Sequence, residues 1–253
     1  MPESLLILFA FGCLSGVTTV LFGFGGGFVT VPVIAAVAGG ADPLHVAVAT
    51  SAVVMAVNSA GATFAGLRSG RVRREYLWPL TGFVGLGAVL GAFAATRAPD
   101  GLLRALFAAY LAVTVLDSLL RRGFLRPPEQ LGPLGRVTVT AGGVGIGAVA
   151  SFLGVGGSVM TVPLLRRKGL PMTAAVALAN PLSLPVALVA TAVYASAGPG
   201  PAGYVDPAAA LALLAGSLPT IALVRRFAGR LPDRVHVVAY LGLLVVALVA
   251  VLA

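Results

Sequence analysis

Uncharged, strongly apolar runs occupy residues 4–41, 43–67, 76–96, 137–165, 169–205 and 207–224, separated by short hydrophilic connections. Several reach the roughly 20 residues that a helix needs to cross a hydrocarbon core. The pattern predicts crossings over 43–66, 76–96, about 101–120, 171–196, 206–224 and 235–253. Two further stretches, 4–38 and 137–165, are interrupted by glycine and predict broken helical hairpins. The chain therefore reads as an all-α polytopic membrane protein.

The two interruptions are copies of one another. Residues 22–32 read FGFGGGFVTVP and residues 153–163 read LGVGGSVMTVP. Gly23, Gly25, Gly26, Thr30, Val31 and Pro32 return as Gly154, Gly156, Gly157, Thr161, Val162 and Pro163. Glycine-broken apolar segments at matching places in two halves point to the binding site of a transporter. The weaker match of Pro43 and Ala47-Val48-Ala49 with Pro171 and Ala175-Val176-Ala177 extends the repeat. The expected organisation is an N-terminal repeat over 1–122, a cytoplasmic linker over 123–136 and a C-terminal repeat over 137–253.

Charge placement supplies an orientation. Fifteen of the seventeen basic residues fall into four clusters. These are Arg68 to Arg74; Arg121, Arg122, Arg126 and Arg136; Arg166, Arg167 and Lys168; and Arg225 to Arg234. Lysine and arginine in short loops favour the cytoplasmic side. With all four clusters inside, 76–96 and about 101–120 turn outside near Pro99, and 137–165 begins and ends inside as a hairpin. Outer turns fall at 39–43 and 198–201, and both termini lie outside. Each half then has one re-entrant hairpin and three crossings, so the second repeat is inverted relative to the first. The first arm, 5–22, would be about 27 Å long as a helix, long for an arm that stops at mid-membrane.

Composition agrees with the pattern. Apolar residues make up 58%, charged residues 10%, and mean hydropathy is +1.02, far from soluble usage. The net charge of +9 sits in the connections and follows membrane orientation, so nucleic acid is not an expected partner. The N-terminal Met-Pro-Glu-Ser lacks the basic region of a cleaved signal, so the first run is expected to be retained. The single cysteine, Cys13, excludes an intramolecular disulfide relay.

The breaks carry the candidate chemistry. Backbone that leaves the helix within a bilayer must be buried in protein or line a polar cavity. Gly25, Gly26 and Gly27, with Gly156, Gly157 and Ser158, would leave amides free. Pro32 predicts a helix start just before it, with Thr30 as its cap and Thr161 as the equivalent residue. Helix N-termini and concave runs of N–H groups attract anions. Downstream polar residues Thr50, Ser51, Asn58, Asn180 and Ser183 are candidates to complete the site, although hydroxyls in helices often bond back to their own backbone. Other glycine pairs four residues apart, Gly12 and Gly16, Gly87 and Gly91, Gly143 and Gly147, predict close helix packing. No ionisable residue sits at the centre of a predicted crossing, so a carboxylate proton relay has no seat. Asp117, four residues before Arg121, predicts a local ion pair. His45, His236, Tyr76 and Trp78 are expected near the interface. Nothing resembles a metal site, a cofactor motif or a nucleophile–base pair, so no enzyme is expected.

With GxGG-x3-TVP near the start of each half and Ala-Val-Ala-Thr-Ser at 47–51, the chain resembles the sulfite exporter TauE/SafE family, also called the 4-toluene sulfonate uptake permease family. The resemblance covers essentially the whole chain. It departs at Leu178-Ala179-Asn180, where the family more usually has a Thr-Ser-like pair. The resemblance implies transport of sulfite, organosulfonates or related small sulfur-containing anions across the bacterial cytoplasmic membrane. An interior-negative potential drives an anion outward by about 2.3 kcal/mol per charge per 100 mV, which favours export. Proton- or cation-coupled uptake, or a structural protein without a solute, are the alternatives. Which anion is carried, and whether the chain forms a homo-oligomer, stay open.

Overall fold

The computed structural model describes residues 2–38, 42–68, 74–120, 123–125, 127–129, 131–197 and 201–252. Residues 39–41 and 198–200 of the predicted turns, and Arg71, Arg73, Arg121, Arg122 and Arg126 of the basic clusters, lie outside them. The described elements are helical: α1 (Pro2–Phe22), α2 (Gly27–Val37), α3 (Pro43–Arg68), the short α4 (Arg74–Leu77), α5 (Leu80–Ala95) and α6 (Asp100–Leu120). After a π-helical turn at Thr138–Gly142 come α7 (Gly143–Leu153), α8 (Ser158–Arg166), α9 (Met172–Ala197), α10 (Pro207–Val224) and α11 (Asp233–Leu252).

Six described helices are long and apolar enough to cross a membrane: Glu3–Phe22, Pro43–Arg68, Glu75–Ala95, Asp100–Leu120, Met172–Ala197 and Pro207–Val224. Five match expected crossings. The sixth, α1, has the length of a full crossing by itself, whereas α2 has 11 residues and α8 has 9.

Helix pairing is reciprocal between the halves. The first arm α1 packs on α10, and its counterpart α7 packs on α5. The long helices α3 and α9 cross at the centre, with α2 on α3 and α8 on α9. Small residues set the two arm contacts. A methyl on Gly12 would meet the Leu213 carbonyl oxygen at 2.3 Å, and one on Gly147 would meet that of Val84 at 1.9 Å. Gly16, Gly87, Gly91 and Gly216 are equally confined, so the spaced glycines are packing residues, as expected.

Several charged and aromatic side chains are more enclosed than their places in the sequence suggest. Arg166, counted among loop charges, is fully buried; its guanidinium donates to both Asp233 carboxylate oxygens at 3.0 Å and to the Phe124 carbonyl at 2.8 Å. Asp117 pairs with Arg167 of the other half, and its expected partner Arg121 lies outside the described residues. His45 and His236 are buried, at 4% and 2% exposure. The His45 ring lies 2.7 Å from Asp100 Oδ1, and His236 bonds the Leu21 carbonyl. Tyr76 is buried too, while Trp78 remains exposed. Each case of burial has one cause: helix ends distant in sequence meet and enclose a side chain that its neighbours alone would leave outside.

Candidate functional site

Each break is made by left-handed glycines. Gly23, Gly25 and Gly26 have φ of 74°, 63° and 102°, and Gly154 and Gly156 have 67° and 70°. Side chains with a Cβ avoid this region, so glycine lets the chain reverse within four residues. Gly157 differs, with φ −74°, and starts α8 from an ordinary helical conformation. The helices restart earlier than the prolines suggested. α2 begins at Gly27 and α8 at Ser158, which leaves Pro32 and Pro163 inside their helices. Thr30 is therefore not a cap; its hydroxyl donates back to the Gly26 carbonyl at 3.1 Å. The left-handed turn at Gly26 makes an earlier helix start possible, and the threonine falls in the first full turn.

The two breaks meet. A methyl on Gly27 would lie 2.6 Å from the Gly154 carbonyl oxygen. Met55 of α3 fills the space between them: methyls on Gly25 and Gly156 would lie 2.6 Å from its Cγ and 2.7 Å from its Sδ. Among the described residues no carbonyl or side chain accepts from the amides of Phe24, Gly25, Gly26, Gly156 and Gly157. Free N–H groups at a helix start carry a partial positive charge.

The named candidates divide. Thr30 and Ser51 are joined, with their hydroxyls 2.7 Å apart, and Ser51 reaches the Gly27 carbonyl at 3.3 Å. Ser158 and Thr161 lie at and just after the second break, fully buried, with hydroxyls that have no partner. Asn180 donates to the Thr19 carbonyl at 3.5 Å, and its Oδ1 has no partner. Thr50 turns elsewhere; its hydroxyl accepts from the Asp206 amide at 2.9 Å, at the cap of α10. The sequence missed Ser15, Met55 and Ser59. Ser15 and Ser59 are fully buried with unpartnered hydroxyls beside Gly26 and Gly25. Every side chain in this group is neutral, so it can hold an ion through dipoles and hydrogen bonds without a fixed counter-charge.

A cavity of about 480 Å³ lies beside this region, lined by Val31 and Pro32 of α2, Val48 of α3, Leu153 of α7, and Asp100 and Arg104 of α6. Val48 is also the side chain against which Gly154 packs. At the same end, Asp42, His45 and Asp100 place one ligand-type atom each within 4.8 Å of the others. Both nitrogens of the His45 ring are engaged, one with Asp100 and the other with the Ala95 carbonyl at 3.1 Å.

Residues 8–251 match the family described as Sulfite exporter TauE/SafE. Two proteins of Xylella fastidiosa, from strains 9a5c and Temecula1 / ATCC 700964, are each named "Probable membrane transporter protein". Each is 31% identical over 167 residues, 64% of this chain and 63% of its own length. The match thus spans less than two thirds of either relative. No solved structure matches.

Proposed function

Because the chain belongs to the sulfite exporter TauE/SafE family, we propose that it is a carrier of small sulfur-containing anions such as sulfite or an organosulfonate. The observation that carries this reading is the meeting of two glycine breaks at Gly27 and Gly154, with free amides and neutral, unpartnered side chains around them. An anion held by dipoles alone is bound without a strong ion pair and can leave again, which turnover requires. The halves act as inverted repeats, each with a hairpin re-entering the membrane, and the reciprocal pairing of α1 with α10 and α5 with α7 supports a two-fold relation. Access alternates as the halves rock about α3 and α9. In a bacterial inner membrane, with the linker inside and both termini outside, the potential drives the anion outward.

The test is sulfite flux from proteoliposomes under an imposed potential, with sulfonates and thiosulfate as competitors. Saturable, potential-dependent flux supports the carrier, and the order of competition ranks the substrates. Absence of flux and of competition across the panel argues against it.

A second reading, cation-coupled uptake, draws on α9. Pro181 and Pro185 lack the N–H groups that would bond the Ala177 and Pro181 carbonyls, and Asn180 Oδ1 is unpartnered. These acceptors suit a small cation. Flux that depends on sodium or on a pH gradient, with inward accumulation, would favour this alternative.

A further inference from the structure

We infer that the anion is held on one side of the paired breaks, against Gly25 and Gly26, by Asn58, Ser15 and Ser59; this rests on the anion-carrier reading above. Asn58 is fully buried, and its Oδ1 accepts from the Ser217 hydroxyl of α10 at 2.9 Å. That bond turns the amide so that Nδ2, with two N–H groups, has no protein partner. A methyl on Gly26 would lie 3.1 Å from this nitrogen and 2.2 Å from Ser15 Oγ, and one on Gly25 would lie 2.6 Å from Ser59 Oγ. Three buried donor groups are thus aimed at the first break, where the amides of Phe24, Gly25 and Gly26 are also free. Buried donors without acceptors are strongly disfavoured, so this cluster calls for an acceptor-rich guest. A tetrahedral or pyramidal oxyanion presents three oxygens with no donor of its own.

The second break lacks all three groups. Aligning Gly23 with Gly154 places Ile146 where Ser15 stands, and a methyl on Gly157 would meet Ile146 Cγ2 at 3.2 Å. Aligning Ala47-Val48-Ala49 with Ala175-Val176-Ala177 places Val186 and Ala187 where Asn58 and Ser59 stand. The polar groups that do stand at this break are hydroxyls: those of Ser158 and Thr161, and that of Ser183 beside Gly156, all buried without a partner. A hydroxyl brings one donor and two acceptor lone pairs, whereas the Asn58 nitrogen brings two donors, so an oxygen-rich anion is held more firmly at the first break. The repeat is therefore duplicated in backbone but not in recognition. One anion binds per chain, off the axis between the halves, and Ser217 is a positioning residue that keeps Asn58 in its donating orientation.

The experiment uses the purified full chain, with sodium sulfite and sodium methanesulfonate as probes. Binding is read as a ligand-dependent rise in unfolding temperature, and flux is read in proteoliposomes. Asn58→Asp keeps the size and the acceptor for Ser217 but replaces the donor with a negative charge; it should weaken sulfite binding by at least about tenfold. Ser59→Ala removes a hydroxyl that has no protein partner, so it should fold as the native chain does and weaken binding about threefold to tenfold. Ser217→Ala should raise the half-saturating concentration more than it lowers the maximal rate. If both Ser59→Ala and Asn58→Asp bind sulfite as tightly as the native chain, the one-sided site is wrong while the carrier stands. Should the native chain show neither a shift nor flux with either probe, the carrier reading and this inference fall together.

Discussion

Gly27 and Gly154 belong to different copies of the repeated motif, yet a methyl on the first would lie 2.6 Å from the carbonyl oxygen of the second. The two breaks approach as closely as backbones can, and only side-chain-free residues allow it. Substitutions here report on backbone geometry before any chemistry.

Gly26 and Gly157 are equivalent in sequence and unequal in structure. Alanine at Gly26 must adopt φ 102° and would meet Ser15 Oγ at 2.2 Å. Gly26→Ala should therefore destabilise the protein by about 2 kcal/mol or more and abolish flux. At Gly157 the φ is −74° and the nearest atom, Ile146 Cγ2, is 3.2 Å away. Gly157→Ala should cost less than about 1 kcal/mol. Thermal unfolding of the two purified variants checks the difference.

Glycines at the arm contacts differ sharply from neighbours on the same helix. Gly147→Ala places a methyl 1.9 Å from the Val84 carbonyl and should lower stability by about 1–3 kcal/mol. Gly145, two residues earlier in α7, has nothing within 4 Å. Gly145→Ala should be neutral or stabilising by up to about 1 kcal/mol. Unfolding temperatures that are equal for the two variants would contradict the α5–α7 contact.

The Arg166–Asp233 pair ties the end of α8 to the start of α11. Asp233→Asn leaves a fully buried guanidinium without its counter-charge and should destabilise by about 3 kcal/mol. Arg166→Lys keeps the charge but loses the two-point geometry, so it should recover only part of the native stability. Denaturation of the reconstituted variants measures both.

Orientation is open to direct labelling. In a Cys13→Ser background, Pro99→Cys and Ala202→Cys should react with a membrane-impermeant thiol reagent added to intact cells. Glu129→Cys and Lys168→Cys should react only after permeabilisation. The opposite pattern would invert the assigned topology.

Much of the fold was legible because its causes are local. Long uncharged runs make helices in a bilayer whatever surrounds them, and Gly23, Gly25 and Gly154 break helices through their own backbone freedom. The spacing of Gly12 with Gly16 and Gly87 with Gly91 foretold close packing for the same reason. The site was less legible. Thr50 and Ser51 are adjacent, yet one caps toward Asp206 and the other joins Thr30 and Gly27. Successive residues on a helix point about 100° apart, and only the packing of α3 against its neighbours decides which direction is useful. Ser15 is not legible as a site residue, because a serine in an apolar helix usually bonds to its own turn and only packing shows that this one does not. Arg166 was counted as a loop charge because its partner lies 67 residues away.

The sequence by itself determined that this is a polytopic helical membrane protein with two broken segments, since hydropathy and glycine conformational freedom act over a few residues. The tertiary structure decided that the breaks touch, that Met55 stands between them, and that the unpartnered donors Ser15, Asn58 and Ser59 gather on one side. Those relations depend on how α1, α3, α9 and α10 are packed. Packing is a sum of contacts between segments far apart in the chain, and no local pattern carries it.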